Sequence, residues 1–491
     1  MTPRTLALAA LPSLLLAPLS AQARPETYGQ QPGETATTQA DQKALAVTIY
    51  NDNLALVKDQ RLVKLPKGEV RLAFQEVSAQ IRPETALLRN LTEPKGFFVV
   101  EQNFDFDLLT PRKLLEKYVG EKVVVISQKP NAGGPGSTEV REEATVLATN
   151  EGVVLQFADR IETSVNGRLI YPKVPASLRA RPTLVITLAS GAEKAQALEL
   201  SYLTGGLSWK ADYVANLSAD EKTLDLNGWV TLTNQSGAAY PNATLQLVAG
   251  DVNRVRGQDR PVPMALGAAR AMDKAAEMKE ESLFEYHLYT LDRPTTLAAS
   301  QTKQVALLST TGVPVRKEYR LEGQPWWYTS VQSDLGDKLK AGVFVEFDNT
   351  ETHHLGLPLP KGVIRVYKRD SEGRAQFVGE DRVDHTPKKE TVRLKLGEAF
   401  DVTARRKQTD FKVLGRSGRY GSSTESAYEV VIKNAKKEAV TVSVVEPIHG
   451  DWEMLNASLA WTKTSATTAR FEVKVPAEGE ATLTYRVKTR W

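Results

Sequence analysis

Cysteine is absent from all 491 residues, and histidine appears only five times. The first absence excludes a disulfide framework, thiolate metal sites and a lipid-modified N-terminal cysteine, so packing must hold the fold. The second leaves few imidazoles for metal or acid–base chemistry: His287, His353, His354, His385 and His449, none in a His-Glu-x-x-His spacing. Net charge is equally scarce. With 63 basic and 59 acidic residues the formal charge is +4, which excludes the broad cationic footprint of a dedicated nucleic-acid binder. Beyond the N-terminus no apolar run reaches the ~20 residues that span a bilayer, so the processed chain is expected to be soluble and not membrane-spanning. A Gly-x-Ser-x-Gly elbow is missing, and the loop Gly133-Gly134-Pro135-Gly136-Ser137 lacks the lysine and following helix of a phosphate cradle.

What is present is an ordinary globular composition, 41% hydrophobic and 25% charged, at a length that suits roughly three domains. Arg4, the apolar run 6–19 and Ala21-Gln22-Ala23 have the three parts of a secretory signal, predicting a signal peptide over 1–23 and a mature start at Arg24. Residues 24–43 are rich in Gln, Thr, Gly and Pro and are expected to form a flexible leader.

From there period-two alternation dominates. Runs at 45–50, 54–65 and 70–74 read as antiparallel hairpin strands, the last two around the turn Pro66-Lys67-Gly68. Leu359-Pro360-Lys361-Gly362 echoes that turn ahead of the run 363–367. One short helix is predicted near 111–119, capped by Thr110, opened by Pro111 and ended by Gly120. The short strands that follow it resemble a small SH3-like or Sm-like barrel over about 110–175. The fold expected is mainly β: several antiparallel β-sandwich or small-barrel domains with an immunoglobulin-like C-terminal domain. The division expected is an N-terminal β domain at 44–182, a central sandwich at 183–399 and the immunoglobulin-like domain at 400–491. A mobile insertion is expected at about 254–282, with helix-forming composition over 268–283.

Candidate chemistry is sparse, and no cofactor is indicated. Glu285, His287 and Tyr289 share one face of a predicted strand, which admits a metal trio but more simply a solvent-facing polar stripe. Asn103, Asp105 and Asp107 supply alternate oxygens, as a calcium site does, without the glycine and closing glutamate of an EF-hand. The densest aromatic group is Trp326-Trp327-Tyr328. Exposed, it would stack on sugar rings or anchor a partner; packed inside a sandwich, it would be core. These three residues are the candidate binding site. Arg405-Arg406-Lys407 and Lys388-Lys389 read as solvated charge able to add weak attraction to anionic polymers. The last residues, 485–491, alternate and end in an aromatic, and read as a soluble closing strand.

The run Leu200-Ser201-Tyr202-Leu203-Thr204-Gly205-Gly206-Leu207-Ser208-Trp209-Lys210-Ala211-Asp212-Tyr213 resembles the hallmark of a bacterial exported family, domain of unknown function 4139. Phe284-Glu285-Tyr286-His287-Leu288-Tyr289, Gln301-Thr302-Lys303, Leu357-Pro358-Leu359-Pro360-Lys361-Gly362 and Gly397-Glu398-Ala399-Phe400-Asp401-Val402 resemble it in the same order, over about 45–491. More distantly the chain is similar to mucoidy-inhibitor-like proteins, whose long coiled segment has no counterpart here. The resemblance implies export, β architecture and the bacterial envelope, and supplies no catalytic residues. The function expected is that of a secreted, envelope-associated structural or interaction protein, periplasmic or at the cell surface, with a protein or glycan partner. The alternative is a hydrolase or metal-dependent enzyme acting on envelope glycans or peptides.

Overall fold

In the strands Lys194–Thr204 and Leu207–Leu217 every second side chain is buried, as expected where one face of a pleated sheet meets the core. The computed structural model describes residues 33–51, 53–130, 137–250, 278–283, 286–417 and 420–490. Among these the chain is mainly β, with five sheets and one α-helix, Pro111–Lys117. Its Thr110 cap accepts from the Lys113 amide at 3.1 Å, and Gly120 leaves it at a φ of 87°. No helix of the described residues is long and apolar enough to cross a membrane. The expected signal peptide lies outside the described residues, as do 254–277 of the expected insertion and the glycines of the 133–136 loop.

Two compact units interleave along the chain. The first takes the described residues up to Thr38, then Pro66–Val77 and Phe98–Ala192. Its four-stranded sheet runs Glu34–Thr37, Gly68–Gln75, Thr183–Ser190, Phe97–Asp105, the first pair parallel. The leader expected to be flexible up to residue 43 therefore enters the fold at Glu34. Composition misses this because the segment is held by ladder hydrogen bonds and a buried charge rather than by large apolar side chains. Glu34 receives both guanidinium arms of Arg179 at 2.8 Å, and Asp105 takes a further bond from Arg179 at 2.7 Å. The same unit holds a five-stranded antiparallel sheet in the order Ile161–Glu162, Val154–Gln156, Ser137–Ala148, Lys122–Pro130, Arg168–Ile170. With the helix it encloses its own core of Tyr118, Val123, Val125, Ala144, Val146, Leu155 and Phe157, over the stretch where a small barrel is expected.

The second unit takes Gln39–Leu65, Ser78–Phe97 and the chain from Glu193 onward. The turn Pro66-Lys67-Gly68 closes no hairpin: Leu54–Leu65 pairs with Gln42–Tyr50 and Lys194–Thr204, whereas Gly68–Gln75 pairs with Glu34–Thr37 and Thr183–Ser190. Gly68 supplies a φ of 99° as the chain changes sheets. Gly362, in the echo of that turn, serves differently. Its φ is not positive, but a Cβ there would lie 2.3 Å from the Ala211 carbonyl oxygen of the neighbouring parallel strand. The end of the expected helical insertion is also strand: Met278–Leu283 pairs with Tyr286–Leu291, and cross-strand hydrogen bonding overrides helix propensity.

The C-terminal sheet has nine strands and reaches back to Arg316–Glu322, which pairs in parallel with Val440–Pro447. A boundary at 399/400 therefore falls inside the strand Thr391–Ser417, and one at 182/183 falls immediately before a strand hydrogen-bonded to Gly68–Gln75. The nine strands fold over on themselves. Trp452, on one end strand, lies 5.5 Å from Trp461 on the other, and Phe471 meets Tyr485 across the interior at 5.4 Å.

Replacing Arg179 by Met is expected to destabilise the first unit by about 3–5 kcal/mol, because Glu34 stays buried without its principal cation. Chemical unfolding followed through the Tyr118 core checks this; an unchanged midpoint would show the triad to be idle. In the second unit Arg316 and Thr391 hold the Asp348 carboxyl well below the usual carboxylate range. A depressed folded pKa contributes stability that is full above about pH 4 and is lost as the pH falls further. Arg316→Met is thus expected to flatten the pH dependence of stability below pH ~4, measured by acid titration of the thermal midpoint.

Candidate functional site

Gly323-Gln324-Pro325 delivers the aromatic triplet onto a single 3-10 turn, Pro325–Tyr328, where successive side chains point in different directions. Trp326 is 58% exposed, whereas Trp327 and Tyr328 are buried. The turn therefore splits the candidate site: one indole faces solvent, and its two neighbours anchor it in the core.

The anchor is a buried polar cluster. Tyr328 Oη donates to Glu446 Oε2 at 2.7 Å and lies 3.2 Å from Tyr485 Oη. Arg406 donates from Nη1 to Glu446 Oε1 at 2.5 Å, and its guanidinium sits 4.5 Å from the Trp327 ring centroid. Both charged side chains are excluded from solvent. Tyr428 Oη donates to the Trp327 carbonyl at 2.6 Å and stacks on Tyr485 at 5.2 Å. Burial, followed by the charge of Glu446, pushes the Tyr328 and Tyr485 hydroxyls far above the ordinary tyrosine value, so they remain donors. Burial opposes the charge on Arg406, but the Glu446 carboxylate holds it protonated. Gly323 is required here, because a Cβ at that position would fall 2.1 Å from Glu446 Oε2.

A groove of about 570 Å³ is lined by Gln332, Ser333, Asp334, Leu335 and Asp337 from the loop that follows the turn and by Arg405, Arg406, Lys407, Gln408 and Glu429 from two strands. Gln408 ties wall to turn: its Oε1 accepts from the Gln332 amide at 2.9 Å, and its Nε2 donates to the Trp327 carbonyl at 3.2 Å. The Arg406 amide donates to the Gly336 carbonyl at 3.0 Å, and the Gly336 amide to Asp334 Oδ1 at 2.8 Å. A polar concavity is thus hydrogen-bonded to the backbone of the turn that carries the exposed Trp326. The basic triplet is divided by strand alternation, with Arg405 and Lys407 exposed and Arg406 buried, so solvated charge describes only two of the three.

The remaining candidates have other partners. Asp105 is bonded to Arg179, and Asp107 pairs with Lys117 at 2.7 Å and Lys113 at 3.4 Å, so side-chain cations occupy the oxygens that a calcium ion would need. Glu285 lies outside the described residues. Tyr289 is buried rather than part of a solvent-facing stripe, and its hydroxyl donates to the Pro358 carbonyl at 2.9 Å. His354 adopts the left-handed region at a φ of 64°, with Nδ1 2.9 Å from the Thr311 carbonyl oxygen. Among the described residues no three His, Asp or Glu side chains form a metal-holding group.

Glu446 is the residue that sequence reading missed. Its signal was available: Val440, Val442 and Val444 are buried at period two, and Glu446 continues that face inward.

A β protein with a polar groove tied to an aromatic turn is the class this geometry defines. The chain belongs to the family described as domain of unknown function (DUF4139), whose model matches residues 198–491 and so includes the entire site. No curated protein matches the chain.

Glu446→Gln is expected to cost about 3–5 kcal/mol by leaving Arg406 buried without its counter-charge, and Tyr328→Phe about 1.5–3 kcal/mol. Denaturant titration of both variants and their double mutant checks this; strictly additive losses would show that the two residues do not share one network.

Proposed function

We propose that the protein is secreted and acts at the bacterial envelope as an interaction module, the groove tied to its aromatic turn receiving a glycan or a protein partner. The observation that carries this reading is the contrast within one turn: Trp326 is exposed while Trp327 and Tyr328 are locked inside. An indole held by buried neighbours presents a large apolar face with little conformational freedom to lose on binding. The groove tied to that turn supplies fixed donors and acceptors of both charges, which favours a polyhydroxylated ligand over a purely apolar one. The predicted signal over 1–23 and the family resemblance support export and an envelope location.

Hydrolysis of an envelope glycan or peptide is the second reading, favoured by the three carboxylates Asp334, Asp337 and Glu429 in the same groove. Two of them already have partners, Asp334 in the Gly336 amide and Glu429 in Arg405 at 3.9 Å, which favours binding over cleavage.

Capture from isolated envelopes by the full chain tests the proposal. Trp326→Ala is expected to weaken capture at least ~30-fold, the scale of a Trp hot spot, with an unchanged thermal midpoint. Trp327→Ala is expected to lower stability by about 3–5 kcal/mol as a core truncation. Capture that survives Trp326→Ala would overturn the groove reading. Release of new reducing ends or peptides by wild type but not by Asp337→Asn would transfer the assignment to hydrolysis.

A further inference from the structure

The second unit carries another aromatic surface, on the sheet ordered Gln301–Pro314, Thr223–Asn234, Leu207–Leu217, Gly362–Arg369, Ala375–Val383. Alternation sends Ala211, Tyr213, Val230, Leu232, Ile364 and Val366 into the core. The residues between them form the opposite face. Trp229 stands there, 42% exposed in an internal strand, at a register shift in which Gly228 pairs with Leu308 and Trp229 with Ala306. Such a bulge re-aims a side chain without breaking the sheet. On the same face Tyr367 meets the exposed Phe377 edge to face at 5.7 Å.

Polar groups between these aromatics are held in place by one another. Asp212, directly across from Trp229, accepts from Arg365 at 3.1 Å and from Thr231 at 3.2 Å and pairs with Lys210 at 3.2 Å. Arg365 also reaches Glu380 at 3.1 Å. With the exposed Arg382 and Asp225 on the same face, three cations, Lys210, Arg365 and Arg382, accompany three carboxylates, Asp212, Asp225 and Glu380, so the patch from Lys210 to Tyr367 has donors and acceptors without net charge. Phosphate backbones, which need surplus cations, do not match it.

We infer that this face binds an extended, uncharged polysaccharide, with Trp229 and the Tyr367–Phe377 pair stacking on sugar rings and the Asp212–Arg365–Glu380 ladder bonding hydroxyls between them. Two strand spacings and four residues of rise separate Trp229 from Tyr367 by roughly 16 Å. An oligosaccharide covers that distance; a single ring does not. The face is separate from the Trp326 groove and does not depend on its assignment.

Affinity electrophoresis of the full chain through gels containing a soluble neutral β-glucan, a neutral galactomannan or an acidic polyuronate tests the inference. Retardation is expected in at least one neutral gel, persisting at ~0.5 M salt because no ion pairing with the ligand is involved. Trp229→Ala should weaken it at least ~10-fold, and Tyr367→Ala should do so independently, with thermal midpoints unchanged. Trp326→Ala should leave it intact, which separates this face from the groove. No retardation in either neutral gel, retardation in the polyuronate gel alone, wild-type binding by Trp229→Ala, or loss on Trp326→Ala alone would each overturn the proposal.

Discussion

A carboxylate buried without solvent must be neutralised or paired, and around Glu446 that requirement organises the C-terminal half of the molecule. Its partners come from distant parts of the chain: Arg406 from the strand Thr391–Ser417 and Tyr328 from the 3-10 turn, whose hydroxyl in turn meets Tyr485 of the strand Gly479–Arg490. Arg406 and Tyr328 reach the carboxylate only if the nine-stranded sheet is folded in one register and the turn sits in one orientation. Gly323 leaves the space the carboxylate occupies. Once Trp327 and Tyr328 are fixed in this way, Trp326 has only the solvent side left. The exposed indole is therefore a consequence of buried electrostatics rather than an isolated surface feature.

The first unit applies the same constraint with the charges reversed. Arg179 is almost wholly enclosed, and Glu34 and Asp105 converge on it from a strand near the start of the described chain and from the edge strand Phe97–Asp105. Pairings of this kind add little stability over well-packed apolar residues of equal volume, but a wrong register would leave a bare charge inside. Each unit thus has a polar lock in its interior that selects among sheet registers which hydrophobic alternation alone would tolerate.

Much of the architecture was legible before the structure. The helix at Pro111–Lys117, its Thr110 cap and the short strands after it follow from local signals whose range is a few residues. Strand pairing was less legible. Gly68–Gln75 and Leu54–Leu65 look like a hairpin in sequence, yet they pair with other strands, each taking one partner more than a hundred residues away, and period two does not say which neighbour a strand will choose. At the candidate site Trp326, Trp327 and Tyr328 were identifiable as an aromatic cluster, but their division into one exposed and two buried rings was not. The exposure of Trp229 was not legible, because a lone tryptophan in an alternating strand has the same pattern whether its face meets core or solvent.

Residue order alone determined the β character, the caps and turns, the lack of disulfide chemistry and the family, since these depend on local spacing and on which side chains exist. Only tertiary structure decided that Arg406 is buried while Arg405 and Lys407 are not, that Gly362 is needed for a neighbour's backbone, and that Trp326 is exposed while Trp327 and Tyr328 are not. Those outcomes rest on contacts between segments far apart in the chain, and such contacts exist only after the sheets have closed over their buried charges.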